Sequence, residues 1–258
     1  MREFLIKIFG TTDLGVEIGL FSIWHFLYII IIAGAIVGAA FALRKRTDEA
    51  KSKTLKIISI VTLCLYIADF FLQPFVTSDH ELNIDKLPFH ICTLMGIVAV
   101  FAQYSDKKWL KEVAVALAIT GSFMYLCYPG TALGGGKSPW CYKVVQTMIY
   151  HGMLLGWGVL NLTTGQVKLC WKNIWMPLVG ILIITVWAAI GNICYSEHWT
   201  NGSPHFDWFF ITGSTFPFVP TALMPFAVIV SVFGVNACLY LIYWLATRDW
   251  KKQKRSVL

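Results

Sequence analysis

Seven apolar stretches separated by short polar or basic segments restrict this chain to one kind of fold. They run approximately over Gly19–Leu43, Leu55–Val76, Leu87–Tyr104, Val113–Tyr128, Val144–Leu162, Ile174–Tyr195 and Val219–Leu245. A helix rising 1.5 Å per residue needs about 20 apolar residues to cross a hydrocarbon layer of ~30 Å. The expected fold class is therefore all-α, a polytopic transmembrane helix bundle of seven spans. Charge supports this, because only 14% of the residues are Asp, Glu, Lys or Arg, against about 25% in soluble domains. Such a chain cannot clothe a water-facing surface. No polar segment is long enough to form a second core, so residues 1–258 are expected to make one multi-pass domain in the cell membrane.

Short loops rich in Lys and Arg stay cytoplasmic, which gives the orientation. Loop one carries Arg44, Lys45, Arg46, Lys51, Lys53 and Lys56, loop three Lys107, Lys108 and Lys111, and loop five Lys168 and Lys172. The tail adds Arg248, Lys251, Lys252, Lys254 and Arg255. Only Arg2, Lys7, Lys86, Lys137 and Lys143 fall on the other side. The N-terminus is thus expected outside and the C-terminus in the cytoplasm. The net charge of +7 reports topology, not nucleic-acid binding, which needs a basic stripe interleaved with aromatics on one folded surface. Residues 1–18 read as an interfacial segment, since Met1–Gly10 is too short and too charged for a signal-peptide core. Residues 246–258 read as a basic tail resting on anionic headgroups.

The seven cysteines show no metal-site spacing. Cys64, Cys170 and Cys238 read as small buried residues. Cys127 and Cys141 flank the outer loop between spans four and five, where an oxidising compartment permits a disulfide. That loop ends in Gly136-Lys137-Ser138, like a phosphate-binding loop. Thr131 stands where such a loop needs its first glycine, however, and no strand precedes it. A flexible loop over an outer cavity is the expectation. The last outer loop, Ser196 to Phe218, is rich in aromatics and reads as an interfacial belt or a lid.

Ionisable and strongly polar residues inside a membrane mark functional sites by default. Asp69 lies on span two, with Gln73 one turn further out. His90 and Cys92 open span three, and Gln146, Thr147 and His151 descend span five, with Thr147 and His151 on one face. Asn192 is near the outer end of span six and His25 near that of span one. All fall in the outer half, whereas the inner half offers only Asn236 and hydroxyls, so an outward-facing cavity is expected. Asp85 and Pro88 suit the start of a helix, which places His90 in a first turn whose positive end favours a neutral imidazole. Residues two apart on a helix point about 200° apart, so His90 and Cys92 share a cavity only if that turn is irregular.

The run Leu87-Pro88-Phe89-His90-Ile91-Cys92 resembles the YwaF-type bacterial integral membrane proteins, which are grouped with the transmembrane protein 164 acyltransferases. Phe21-Ser22-Ile23-Trp24-His25, Ile149-Tyr150-His151-Gly152, Gly191-Asn192 to Tyr195 and the Pro217/Pro220 entry to span seven are similar too. The resemblance spans essentially the whole chain. It implies transfer of fatty acyl chains between phospholipids, with His90 and His151 as the two histidines and a cysteine beside the first. That cysteine position holds Phe89 here, and Cys92 is displaced by three residues.

The favoured function is a lipid-active enzyme performing acyl transfer or hydrolysis in the outer half of the membrane. His90 or His151 would be the base, Cys92 or Thr147 a nucleophile, and Asn192 or Gln146 oxyanion donors, with Asp69, Gln73 and His25 completing the binding residues. The alternative is a transporter or binding component for a small solute or lipid. A metal site from Asp69, His90, Cys92 and His151 lacks an i,i+4 ligand pair, so neither a metal nor another cofactor is expected. Membrane lipids are expected as both solvent and substrate.

Overall fold

The computed structural model describes residues 18–76, 86–129, 138–195, 207–211 and 219–255, with the backbone alone for 73–76 and 249–255. These residues form seven α-helices and no strand. They are α1 (Ile23–Arg44), α2 (Asp48–Val76), α3 (Ile91–Tyr104), α4 (Lys108–Cys127), α5 (Tyr142–Thr163), α6 (Trp175–Cys194) and α7 (Met224–Arg255). Each falls on one of the seven apolar stretches.

Five helical segments are long and apolar enough to cross a membrane: Ile23–Arg44, Asp48–Leu72, Lys108–Cys127, Trp171–Cys194 and Thr221–Arg248. The other two helices differ for physical reasons. α3 has 14 residues, about 21 Å of rise, because Leu87–His90 is a turn. α5 is long enough but carries Thr147, His151 and Asn161 on buried faces. A helix walled in by protein need not match the polarity of lipid.

α4 and α5 form the centre. α4 presents Ala114, Ala116, Ala118, Thr120, Gly121 and Ser122, all buried, and small residues let neighbouring backbones approach closely. α2 and α3 pack on the α4–α5 pair from one side, and α6 and α7 pack on α4. α1 leans on α5, where Ile32 and Ile36 sit over Gly152 and Gly156.

The helices alternate in direction, as cross-contacts show. Lys56 near the start of α2 lies 4.9 Å over the ring of Tyr104 at the end of α3, and His25 near the start of α1 meets the Leu126 carbonyl near the end of α4. The loops rich in Lys and Arg therefore gather at one end, here called the basic end, and the predicted site residues at the other.

Several expectations are corrected. Cys64, Cys170 and Cys238 are exposed, because their helix faces or loops point away from the core. Cys127 is exposed and Cys141 buried; both are free thiols, so no disulfide joins them. The basic stretch that begins at residue 246 is helical as far as Arg255, where α7 ends. The loop at 130–137, residues 1–17, and most of the Ser196–Phe218 segment lie outside the described residues.

The basic half is also more polar than expected. Glu112 is 5% exposed; its Oε1 accepts from the Cys170 backbone N–H at 2.7 Å and the Tyr240 hydroxyl at 3.2 Å, and its Oε2 accepts from Asn173 Nδ2 at 2.7 Å. Gln103 Oε1 accepts from Trp157 Nε1 at 3.0 Å and Asn161 Nδ2 at 3.3 Å. Asn236 donates to Thr120 Oγ1 at 3.0 Å. These groups tie helix to helix, as polar residues between membrane helices commonly do, although Asn236 Oδ1 is buried without a hydrogen-bond partner among the described residues.

Candidate functional site

The site begins with the turn before α3. Pro88 disfavours helix at the residue before it, and the Phe89 N–H closes a tight turn onto the Leu87 carbonyl at 2.7 Å. Tyr66 donates to the Lys86 carbonyl at 2.6 Å and Trp187 Nε1 to the Pro88 carbonyl at 2.8 Å. α3 then starts at Ile91 with His90 as its N-cap, in extended backbone (φ −86°, ψ 151°). The expected position of His90 within the first helical turn is thus corrected by one residue. His90 therefore stands outside the regular helix and Cys92 in its first turn.

The turn delivers Lys86 to Asp69 on α2. Nζ of Lys86 stands 2.8 Å from Asp69 Oδ2, with side-chain exposures of 19% and 3%. The Tyr142 hydroxyl, from the first residue of α5, also hydrogen-bonds the Asp69 carboxylate. An intramembrane carboxylate without a cation would be costly, and here both its partners are supplied.

His151 lies one layer deeper on α5 and is 6% exposed. Its Nδ1 is 2.8 Å from the Thr147 carbonyl. A carbonyl only accepts, so Nδ1 carries the proton and the neutral ring keeps its lone pair on Nε2. That Nε2 is buried and has no hydrogen-bond partner among the described residues. The ring is clamped by Tyr125, stacked at 3.8 Å and 8°, and by the edge of Tyr150 at 5.2 Å. Lys86 and His90 are both within electrostatic reach of it.

His90 takes the opposite tautomer. Its Nδ1 accepts the Phe209 backbone N–H at 3.1 Å, which puts the proton of the neutral ring on Nε2. Phe209 and Phe210 hold left-handed backbone, φ 62° and 58°, a conformation that costs side-chain-bearing residues energy and is met where neighbours over-determine it. The neighbours are visible. Asn192 donates from Nδ2 to the Trp208 carbonyl at 3.2 Å, and its Oδ1 accepts the Trp208 N–H at 2.9 Å. Trp208 also packs tilted against Phe89, ring centroids 4.8 Å apart.

Asp69, His90, Cys92, Thr147 and His151 are thus brought into one neighbourhood with Lys86. Cys92 is half-buried, and its carbonyl accepts the Tyr150 hydroxyl at 2.8 Å. Gln146 accepts from the Thr147 hydroxyl at 3.3 Å. Asn192 reaches the neighbourhood only through Trp208 and Phe209. His25 stands apart: its Nε2 meets the Leu126 carbonyl at 2.8 Å and its Nδ1 accepts the Phe21 N–H at 3.2 Å, so it staples α1 to the end of α4. The side chain of Gln73 lies outside the described residues. No group of three His, Cys, Asp or Glu among the described residues is placed to hold a metal ion.

With the geometry in view, the comparison with protein families is decisive. The TMEM164 family matches residues 20–246. The chain belongs to the TMEM164 family. Comparison with curated proteins and with solved structures gives no match. Family membership and the five apolar helices make this a multi-pass membrane protein. The match runs from α1 into α7 and so contains every site residue discussed above.

Sequence reasoning missed Lys86 and the tyrosines of the site. Lys86 reads as an outer-loop charge, and its one sequence signal was isolation: few basic residues lie on that side at all. Tyr66, Tyr125 and Tyr142 stand out by no motif, and their one signal is that the hydroxyl of a buried tyrosine needs a partner.

Proposed function

We propose that this TMEM164-family protein crosses the cell membrane seven times, N-terminus outside, and acts on phospholipid esters in the outer half by acyl transfer or hydrolysis. The observation that carries this reading is His151, whose Nδ1 is fixed by the Thr147 carbonyl while Nε2 holds an unpaired, buried lone pair. That is the state a general base requires.

In this scheme Nε2 of His151 takes the proton of water or of a lysophospholipid hydroxyl as that oxygen attacks the ester carbonyl. Negative charge then develops on the carbonyl oxygen. The Lys86 ammonium stabilises it, an electrostatic role worth about 2.7–4 kcal/mol for one donor in a water-poor site. His151 returns the proton to the leaving alkoxide. Phe89 fills the family's cysteine position, packed 5.0 Å from Trp187 and 4.8 Å from Trp208, so no acyl-enzyme forms at that residue. A two-step route would run through Cys92.

The test is reconstitution of the full chain in liposomes of one phospholipid, with and without a lysophospholipid of a different headgroup. Mass spectrometry of the lipids is the readout. New diacyl lipid on the added headgroup supports transfer, and free fatty acid alone supports hydrolysis. No change in any lipid class by wild type would overturn the enzyme reading and favour transport.

A further inference from the structure

At the opposite end from the site, α4 and α6 diverge around an apolar pocket of about 290 Å³. Trp109 and Val113 line it from α4, and Trp175, Val179, Gly180 and Ile183 from α6. Its size is at the small end for ligand pockets, and nothing polar in the lining offers a headgroup a partner. From Trp175 to Ile183 the pocket follows α6 for about 12 Å at 1.5 Å per residue, as an open groove along the helix. The two helices meet at its floor, where a Cβ on Gly180 would lie 2.8 Å from Leu117 Cδ1.

The mouth differs chemically from the slot. Trp109 and Trp175 are 51% and 55% exposed, at the first turns of their helices, where aromatic rings sit at the headgroup level of a bilayer. Lys108 adjoins Trp109, and Lys172 stands in the 3-10 turn Trp171–Asn173 immediately before α6; both are exposed. Two acidic side chains lie within one turn of Trp109: Glu112, buried and spent on Cys170, Asn173 and Tyr240, and the exposed Asp106, which the exposed Lys107 and Lys108 beside it outnumber. An apolar slot with a cationic mouth, at the depth of the lipid interface, matches one occupant in both parts.

We propose that this pocket seats one acyl chain of an anionic phospholipid whose phosphate is held by Lys108 and Lys172. The site is separate from the His151 neighbourhood and does not depend on the activity assigned there. A lysine at such a surface favours anionic over zwitterionic lipid by roughly fivefold.

Native mass spectrometry of the full chain in detergent tests this, with phosphatidylglycerol and phosphatidylcholine of identical acyl chains. Wild type should retain phosphatidylglycerol at least tenfold more than phosphatidylcholine. Lys108→Gln with Lys172→Gln should abolish most of that preference. Ile183→Trp, at a position 63% exposed and therefore tolerant of size, should fill the slot and remove the bound lipid. Equal retention of the two lipids by wild type, or retention by Ile183→Trp equal to wild type, would overturn the proposal.

Discussion

Lys86 Nζ stands 2.8 Å from Asp69 Oδ2, and this contact pins the turn before α3 to α2. Removing one partner of a buried ion pair strands the other charge and costs about 3–5 kcal/mol. Asp69→Asn should therefore lower the thermal unfolding midpoint in detergent sharply. Asp69→Leu with Lys86→Met should recover most of the loss, because an apolar pair of similar volume leaves no charge behind.

The two histidines of the site should be opposite tautomers. The Thr147 carbonyl fixes the proton of His151 on Nδ1, and the Phe209 N–H fixes that of His90 on Nε2. Nitrogen-15 spectra of histidine-labelled protein, assigned with His151→Gln and His90→Gln, should show one ring of each kind. Two rings protonated on Nε2 would contradict the base role of His151.

Gly96 lets Tyr150 reach the Cys92 carbonyl. A Cβ at position 96 would fall on the Tyr150 hydroxyl. Gly96→Ala should cost about 1–3 kcal/mol by overpacking. Tyr150→Phe removes the obstructing oxygen, so the double variant should be more stable than Gly96→Ala alone. Unfolding of the four proteins in a double-mutant cycle measures this coupling.

Glu112 holds three donors with two oxygens. Glu112→Gln replaces one acceptor by a donor and orphans a buried group, at about 1–3 kcal/mol. The unfolding midpoint should fall accordingly, while lipid turnover in the same preparation, measured below that midpoint, should change little because Glu112 lies at the far end of the bundle.

The helices were legible because a membrane span is written in composition alone, and apolar length needs no knowledge of neighbours. The neighbourhood of Asp69, His90 and His151 was partly legible for a related reason: ionisable groups inside apolar stretches stand out, and Thr147 and His151 share a helix face by spacing. What failed was whatever depends on where a helix starts. Glu112 follows Lys111 in a basic loop and reads as a loop charge, yet α4 begins at Lys108 and turns it inward. His25 reads as a site residue from depth alone, but its partners, Leu126 and Phe21, are set by how α1 meets α4. Lys86 could be paired with Asp69 only once the turn at Pro88 was known.

Turnover by purified variants in liposomes decides whether His151 Nε2 is the base for chemistry on a lipid ester. His151→Ala should reduce acyl transfer or release by about 10²–10⁴-fold, with the fold retained as judged by an unchanged elution profile. Cys92→Ala should retain turnover if the acceptor attacks directly and lose it if the acyl chain passes through Cys92. Wild-type rates in a well-folded His151→Ala protein would rule out His151 as the base.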